Sequence, residues 1–300
     1  MTTRTTAPPC PACGGPGRDR HYRIEQYDLH RCADCRTEFL VVDDERDAVA
    51  VTYWDSYKFE IYGDKEVQAD YEARYRTVLD QARRFTSTID RVVDVGCGIG
   101  NFLDWVRSQG MEGTGADVDD GALATCAERG LEAVHIDELT DRIPAGSIDL
   151  ITLWDVIEHI NEPLAAVERL VPLLRPGGIM AFETPDVTFP LRPATIAIRK
   201  VVEPIRWSDM LYYADHQIYF SAAGLTTLLE TAGLDVMEHI GMRSPHAKME
   251  RIFEVWAGKG AGAGKLGPLL YGPLDATMRT FHLNNKMIVL ARKPWDAPTP

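Results

Sequence analysis

From Val92 onward, short apolar runs alternate with stretches in which apolar residues recur every three or four positions. Val92 to Val95, Gly113 to Val118, Ala133 to Ile136, Asp149 to Trp154 and Ile179 to Thr184 read as buried strands. Between them Asn101 to Gln109, Ala122 to Arg129 and Pro163 to Leu174 have helical spacing, the last closed by Arg175-Pro176-Gly177-Gly178. This succession predicts an α/β fold, a doubly wound, mostly parallel sheet with helices on both faces. A helix over Ala222 to Ala232 and strands over Leu234 to Ile240 and Lys286 to Ala291 complete the pattern, with a glycine-rich loop from Gly258 to Gly267.

Upstream, Tyr71, Tyr75, Val78, Leu79, Ala82 and Phe85 recur at helical intervals and predict a helix within Ala69 to Ile89. Residues 43–68 are acidic and aromatic and read as a connector or lid. Pro185, Pro190, Pro193 and Pro204 mark residues 187–215 as an insertion. The insertion is locally basic (Arg192, Arg199, Lys200, Arg206), and its apolar spacing predicts an amphipathic helix packed on the sheet or at a homodimer contact. Three parts are therefore expected: residues 1–42, a helical connector at 43–89, and an α/β domain at 90–300.

The first part is defined by cysteines. Cys10, Cys13, Cys32 and Cys35 form two C-x-x-C pairs, the spacing of a four-thiolate zinc ribbon. Four thiolates close the tetrahedron, so a structural role is expected for the ion. A disulfide framework is disfavoured because Met1 to Pro9 contains no apolar leader, and a cytoplasmic location follows from the same reading. Cys97 and Cys126 read as core fillers.

Charge narrows the partners. With 32 Lys and Arg against 45 Asp and Glu, the net charge is −13. Such a surface repels a phosphate backbone, so nucleic acid is not the expected partner, and no apolar run is long enough to span a membrane.

The most specific chemistry lies in Asp94-Val-Gly96-Cys-Gly98-Ile-Gly100, which follows the first strand of the α/β part and opens a helix. The acid precedes the glycines and the spacing is G-x-G-x-G, which suits a cationic amino-acid ligand better than a pyrophosphate. Asp117 ends the next strand, where a carboxylate accepts both hydroxyls of a ribose, and Asp137 ends the third, in reach of an exocyclic amine. At these residues, and in the run Ile148-Asp149-Leu150-Ile-Thr-Leu-Trp154-Asp155-Val-Ile-Glu158-His159, the chain resembles the class I S-adenosylmethionine-dependent methyltransferases over about residues 90–185. The resemblance implies a seven-stranded Rossmann-like sheet. It also implies that Asp94 and the glycine loop hold the methionine part, Asp117 the ribose, and Asp137 with Glu138 the adenine edge. Val118, Trp154 and Asp155 are counted with these cofactor contacts.

Two clusters are candidates for the reaction itself. Asp155, Glu158 and His159 fall within one turn and either orient the loop, touch the acceptor, or hold a divalent ion. The ubiquinone-pathway O-methyltransferases are similar here, with a Glu-x-x-Glu-His run in which Asp155 stands for the first Glu. The second cluster is Tyr213-Ala-Asp215-His216, with Ser221 as the cap of the following helix. An acid beside a histidine suits a general base, whereas the alternative is a packing role for His216. The deoxysugar C-methyltransferases resemble the chain both in a four-Cys ribbon and in a Tyr-x-Glu-His run before the same helix. That likeness implies His216 as base, with Asp215, Tyr213 and His159 supporting it. The expected activity is methyl transfer to a hydroxyl or acidic carbon of a small-molecule acceptor. The rival is an RNA base methyltransferase whose ribbon docks RNA, against which stand the net charge and the lack of an Asn-Pro-Pro-Tyr-type clamp at Trp154-Asp155-Val-Ile.

Overall fold

The computed structural model of the chain describes residues 8–24, 27–41, 61–190, 192, 216–249 and 267–296. The N-terminal hairpin pairs β1 (Gly17–Ile24) with β2 (Tyr27–Cys32), and β2 continues to β3 (Glu38–Leu40). Helix α1 (Lys65–Ala82) follows, capped by the Asp64 carboxylate, which accepts from the Glu66 and Val67 amides. It buries Val67, Tyr71, Tyr75, Val78 and Leu79.

The α/β domain then runs β4 (Arg91–Val95), α2 (Asn101–Ser108), β5 (Glu112–Asp117), α3 (Asp120–Glu128), β6 (Glu132–His135), α4 (Leu139–Arg142), β7 (Ile148–Trp154), α5 (Pro163–Leu170) and β8 (Leu174–Pro185). After the insertion come β9 (Ile218–Tyr219), α6 (Ala222–Thr231), β10 (Asp235–Met242), α7 (Gly267–Thr280) and β11 (Lys286–Arg292). The large sheet has seven strands in the order β10-β11-β8-β7-β4-β5-β6. Strands β4 to β8 pair in parallel, and β11 runs antiparallel between β8 and β10. Chain order reverses at β4: from there the chain moves outward through β5 and β6, then returns to lay β7 on the other side of β4. That reversal opens a crevice beyond the carboxyl ends of β4 and β7, where ligands of open α/β sheets bind.

The predicted strands are present with ends shifted by one or two residues, apart from two differences. Helix α5 stops at Leu170, and Arg175 to Gly178 belong to β8, because Leu174 already pairs with Ile148 across a register irregularity in β7. Helix α7, which carries Pro273 inside it, was not predicted; its first residue, Gly267, closed the expected loop. Most of the connector, most of the insertion and the glycine-rich loop before Gly267 lie outside the described residues. Among the described residues no helix is long and apolar enough to cross a membrane.

The four-strand sheet is not confined to the N-terminus. Its order is β1-β2-β3-β9, with Glu38 opposite Tyr219 and Phe39 opposite Ile218. Cys10, Ala12, Cys32, Cys35 and Phe39 share one apolar core with Ile218, Phe220, Leu225 and Leu228.

Candidate cofactor and acceptor site

A cavity of about 410 Å³ occupies the crevice. At its floor the glycine loop turns sharply: Gly96 has φ 72°, and a Cβ there would lie 2.3 Å from the Val156 side chain, so only glycine fits. Asp117 lines the cavity and is buried. Its Oδ2 accepts from the Gly98 amide (2.7 Å) and its Oδ1 from the Val118 (2.8 Å) and Asp119 (3.0 Å) amides, which ties the loop to β5. Burial raises the Asp117 pKa, and these amides oppose the rise. Asp94 lies behind the loop, where its carboxylate accepts the Thr152 hydroxyl at 2.7 Å. Burial pushes its pKa up to about 8, against the opposing effect of that hydrogen bond.

Of the expected cofactor residues, Gly96, Asp117, Val118, Trp154 and Asp155 line the cavity. Asp94, Gly98 and Gly100 lie outside its lining and support it. Asp137 and Glu138 are not brought there. They fall in a 3-10 turn (Ile136–Glu138) whose Ile136 faces the cavity, while both acids are exposed. The Asp137 carboxylate instead lies 3.6 Å from Arg169 and 3.5 Å from His135.

The lining also carries charge, at Asp155. Asp155 adopts φ 55°, unusual for a side-chain-bearing residue, and contacts the Lys286 and Lys248 ammonium groups, the latter at 3.3 Å. Burial alone would raise its pKa, but the two lysines outweigh that and hold the carboxyl below the usual range. Lys286 also meets Glu183 (3.0 Å), which takes Arg74 at 2.6 Å. Lys248 donates to the Tyr62 and Tyr71 hydroxyls at 2.7 and 3.0 Å. Asp155 is thus engaged by lysines and does not join Glu158 and His159 as a metal-ligand set.

His216 takes that place. Ligating atoms of Glu158, His159 and His216 all lie within 4.8 Å of one another. The two imidazoles meet edge to face at 4.6 Å, and His159 lines the cavity. Glu158 is fully buried, and burial, with the Asp155 charge adding, pushes its pKa up to about 8. The Gln217 amide donates to the Glu158 carbonyl (2.8 Å), fixing the segment after His216 to the turn after β7. Tyr213 and Asp215 lie outside the described residues.

The family model for "Methyltransferase domain" matches residues 66–239, more than half of the chain. The chain belongs to the methyltransferase domain family. Its class I, S-adenosylmethionine-dependent fold is seen again in a methyltransferase from Archaeoglobus fulgidus (16% identity, TM-score 0.52, covering 80% of this chain and all of that one). It is seen too in phosphoethanolamine N-methyltransferase 2 of Haemonchus contortus in complex with S-adenosyl-L-methionine (18%, TM-score 0.56, covering 86% and 62%). Among curated relatives, a ubiquinone biosynthesis O-methyltransferase of Paracidovorax citrulli is 29% identical over 163 residues, 51% of this chain and 66% of that protein. Another, from Dinoroseobacter shibae, is 29% identical over 209 residues, 65% and 82% of the two chains. For the first relatives the match spans from about two-fifths to two-thirds of their length.

In this methyltransferase the four ribbon cysteines come together as their spacing predicts. Their sulfurs lie within 4.8 Å of one another, with Cys10 and Cys35 3.8 Å apart and Cys13 and Cys32 3.5 Å apart. Those separations exceed a disulfide bond and match the roughly 3.8 Å edge of a tetrahedron with zinc–sulfur bonds of about 2.3 Å. The donor set therefore fits a closed structural zinc site held by these four residues. Sequence reasoning missed Tyr62, Tyr71, Arg74, Glu183, Lys248 and Lys286. They come from the segment before α1, α1, β8, the segment after β10, and β11, and share no local pattern.

Proposed function

We propose that this methyltransferase moves the methyl group of S-adenosylmethionine onto a hydroxyl or acidic carbon of a small-molecule acceptor, with His216 as general base. The observation that carries the proposal is a cavity lined by Gly96 and Asp117 together with His159, whose ring meets His216. The curated relatives that are O-methyltransferases support it, as does the −13 charge, which disfavours an RNA acceptor.

When bound, S-adenosylmethionine supplies an electrophilic methyl on a sulfonium. Asp117 receives the ribose hydroxyls, and Gly96 lets the backbone approach the amino-acid part. Tyr75, Phe102 and Trp154 form an aromatic wall, with Trp154 centroids 4.9 Å from Tyr75 and 5.3 Å from Phe102, and such faces favour a cation. His216 removes the acceptor proton as the nucleophile attacks, and His159 holds its ring in place edge to face. Burial and the Asp155 charge raise the Glu158 pKa, which favours its neutral form beside the imidazoles.

A second reading is favoured by the same cluster: Glu158, His159 and His216 hold a divalent cation that binds the acceptor oxygen. The two readings part on magnesium. The test follows S-adenosylhomocysteine release with a panel of phenols and sugars, with and without added magnesium, using zinc-replete protein whose zinc content is held constant. The base reading expects magnesium-independent turnover that His216→Ala lowers by about 10²-fold or more. Turnover that needs added magnesium supports the cation reading, and no turnover with any acceptor sinks both.

A further inference from the structure

Strand β9 has two residues and cannot hold itself in place. Its partner is β3 of the ribbon, and the Leu40 amide extends the contact to the Gln217 carbonyl at 2.9 Å. Cys35, one of the four thiol residues, accepts the Ser221 hydroxyl on its carbonyl at 2.5 Å. Thr37, two residues on and fully buried, receives the Ser221 amide on Oγ1 (3.3 Å). The fit is close: a Cβ at Gly224, in the first turn of α6, would lie 2.1 Å from Thr37 Oγ1 and 3.1 Å from Cys35 Sγ. On the far side Arg192 lies 3.6 Å from the Glu38 carboxylate and 4.6 Å above the Tyr219 ring. Every one of these contacts brackets the stretch that begins at His216.

Small β ribbons bury too little surface to stay folded without their metal. Loss of the ion from the cysteines therefore releases β3, and with it the partner of β9. The cofactor loop has no such dependence, because it is tied to β5 through Asp117. We propose that the ribbon is a positioning device for the acceptor wall: zinc held by Cys10, Cys13, Cys32 and Cys35 fixes His216 through the β3–β9 ladder and the Thr37–Ser221 contact. Thr37 and Ser221 are then positioning residues. The catalytic meaning of this coupling rests on the role proposed above for His216; the coupling itself does not.

The experiment uses the full chain, with zinc content measured. Hydrogen exchange is followed by mass spectrometry at residues 216–221 and at the β4 and β5 strands, before and after zinc is stripped by a chelator, and S-adenosylhomocysteine affinity is measured by calorimetry. Stripping is expected to raise exchange at 216–221 by tenfold or more, roughly, while β4 and β5 stay protected and affinity changes by less than about threefold. Unchanged protection at 216–221, or purified protein without zinc, overturns the proposal. If stripping opens the whole sheet, Thr37→Val with zinc retained decides. Local loss of protection at 216–221, restored in Thr37→Ser, supports the proposal, and unchanged protection overturns it. His216→Ala with undiminished turnover would remove the base role and leave the exchange result standing, so the two failures are distinguishable.

Discussion

The cofactor loop and the charged cluster that engages Asp155 are built in opposite ways. The loop comes from one stretch, from β4 to the turn after β7, in which backbone amides and glycines do most of the shaping and Asp117 locks the loop to its neighbouring strand. The cluster is assembled from α1, the turn after β7, β8, Lys248 and β11, and side-chain charge shapes it. A site made by backbone leaves a spacing in the sequence, because conformation is a local property. A site made by distant side chains leaves no such spacing, because its geometry exists only once the sheet has formed.

The contrast can be broken on either side. The largest effect is expected at the proposed base: His216→Ala should lower turnover by about 10²-fold or more, as loss of a general base does, with S-adenosylhomocysteine affinity nearly unchanged in calorimetry. Next, Lys286→Met leaves Asp155 and Glu183 buried without their shared cation. A cost of about 3–5 kcal/mol is expected in urea unfolding, the usual result of removing one partner of a buried pair. At the cofactor loop, Asp117→Asn should weaken S-adenosylhomocysteine by roughly 10- to 100-fold, the scale of one or two lost hydrogen bonds to a charged group, and leave zinc content intact. Undiminished affinity would remove Asp117 from the ribose role.

A further expectation is a pH dependence at Asp94. Its carboxyl titrates near 3.8 when unfolded and at about 8 in the fold, so between these values the native state binds the extra proton. This group's contribution to stability is therefore full below the unfolded value and declines as pH rises towards 8. Asp94→Asn, which keeps an acceptor for Thr152, should flatten that part of the profile in denaturant titrations from pH 5 to 8. An unchanged slope would show that Asp94 is ionised in the fold.

Legibility followed the same division. The alternation of strands and helices, the glycine loop and Asp117 were readable because each is a matter of local spacing. At Asp137 the spacing alone gave no side-chain placement: Ile136 lines the cavity, and the exposed Asp137 carboxylate lies 3.6 Å from Arg169. The ribbon showed its cysteines through spacing and concealed its docking, since nothing near Thr37 or Glu38 announces Ser221 or Tyr219. Asp155 lines the cavity, yet the lysines that engage it lie 93 and 131 positions away.

The Thr37–Ser221 contact joins residues 184 positions apart. During synthesis the ribbon therefore leaves the ribosome long before the strand that completes it, with the edge of β3 bare in the interval. Closure over such a separation is slow, and an open edge of this kind invites pairing with other chains. Early capture of zinc would keep the nascent hairpin in register until its late partner arrives, so metal supply during translation should govern how much of this protein is recovered folded.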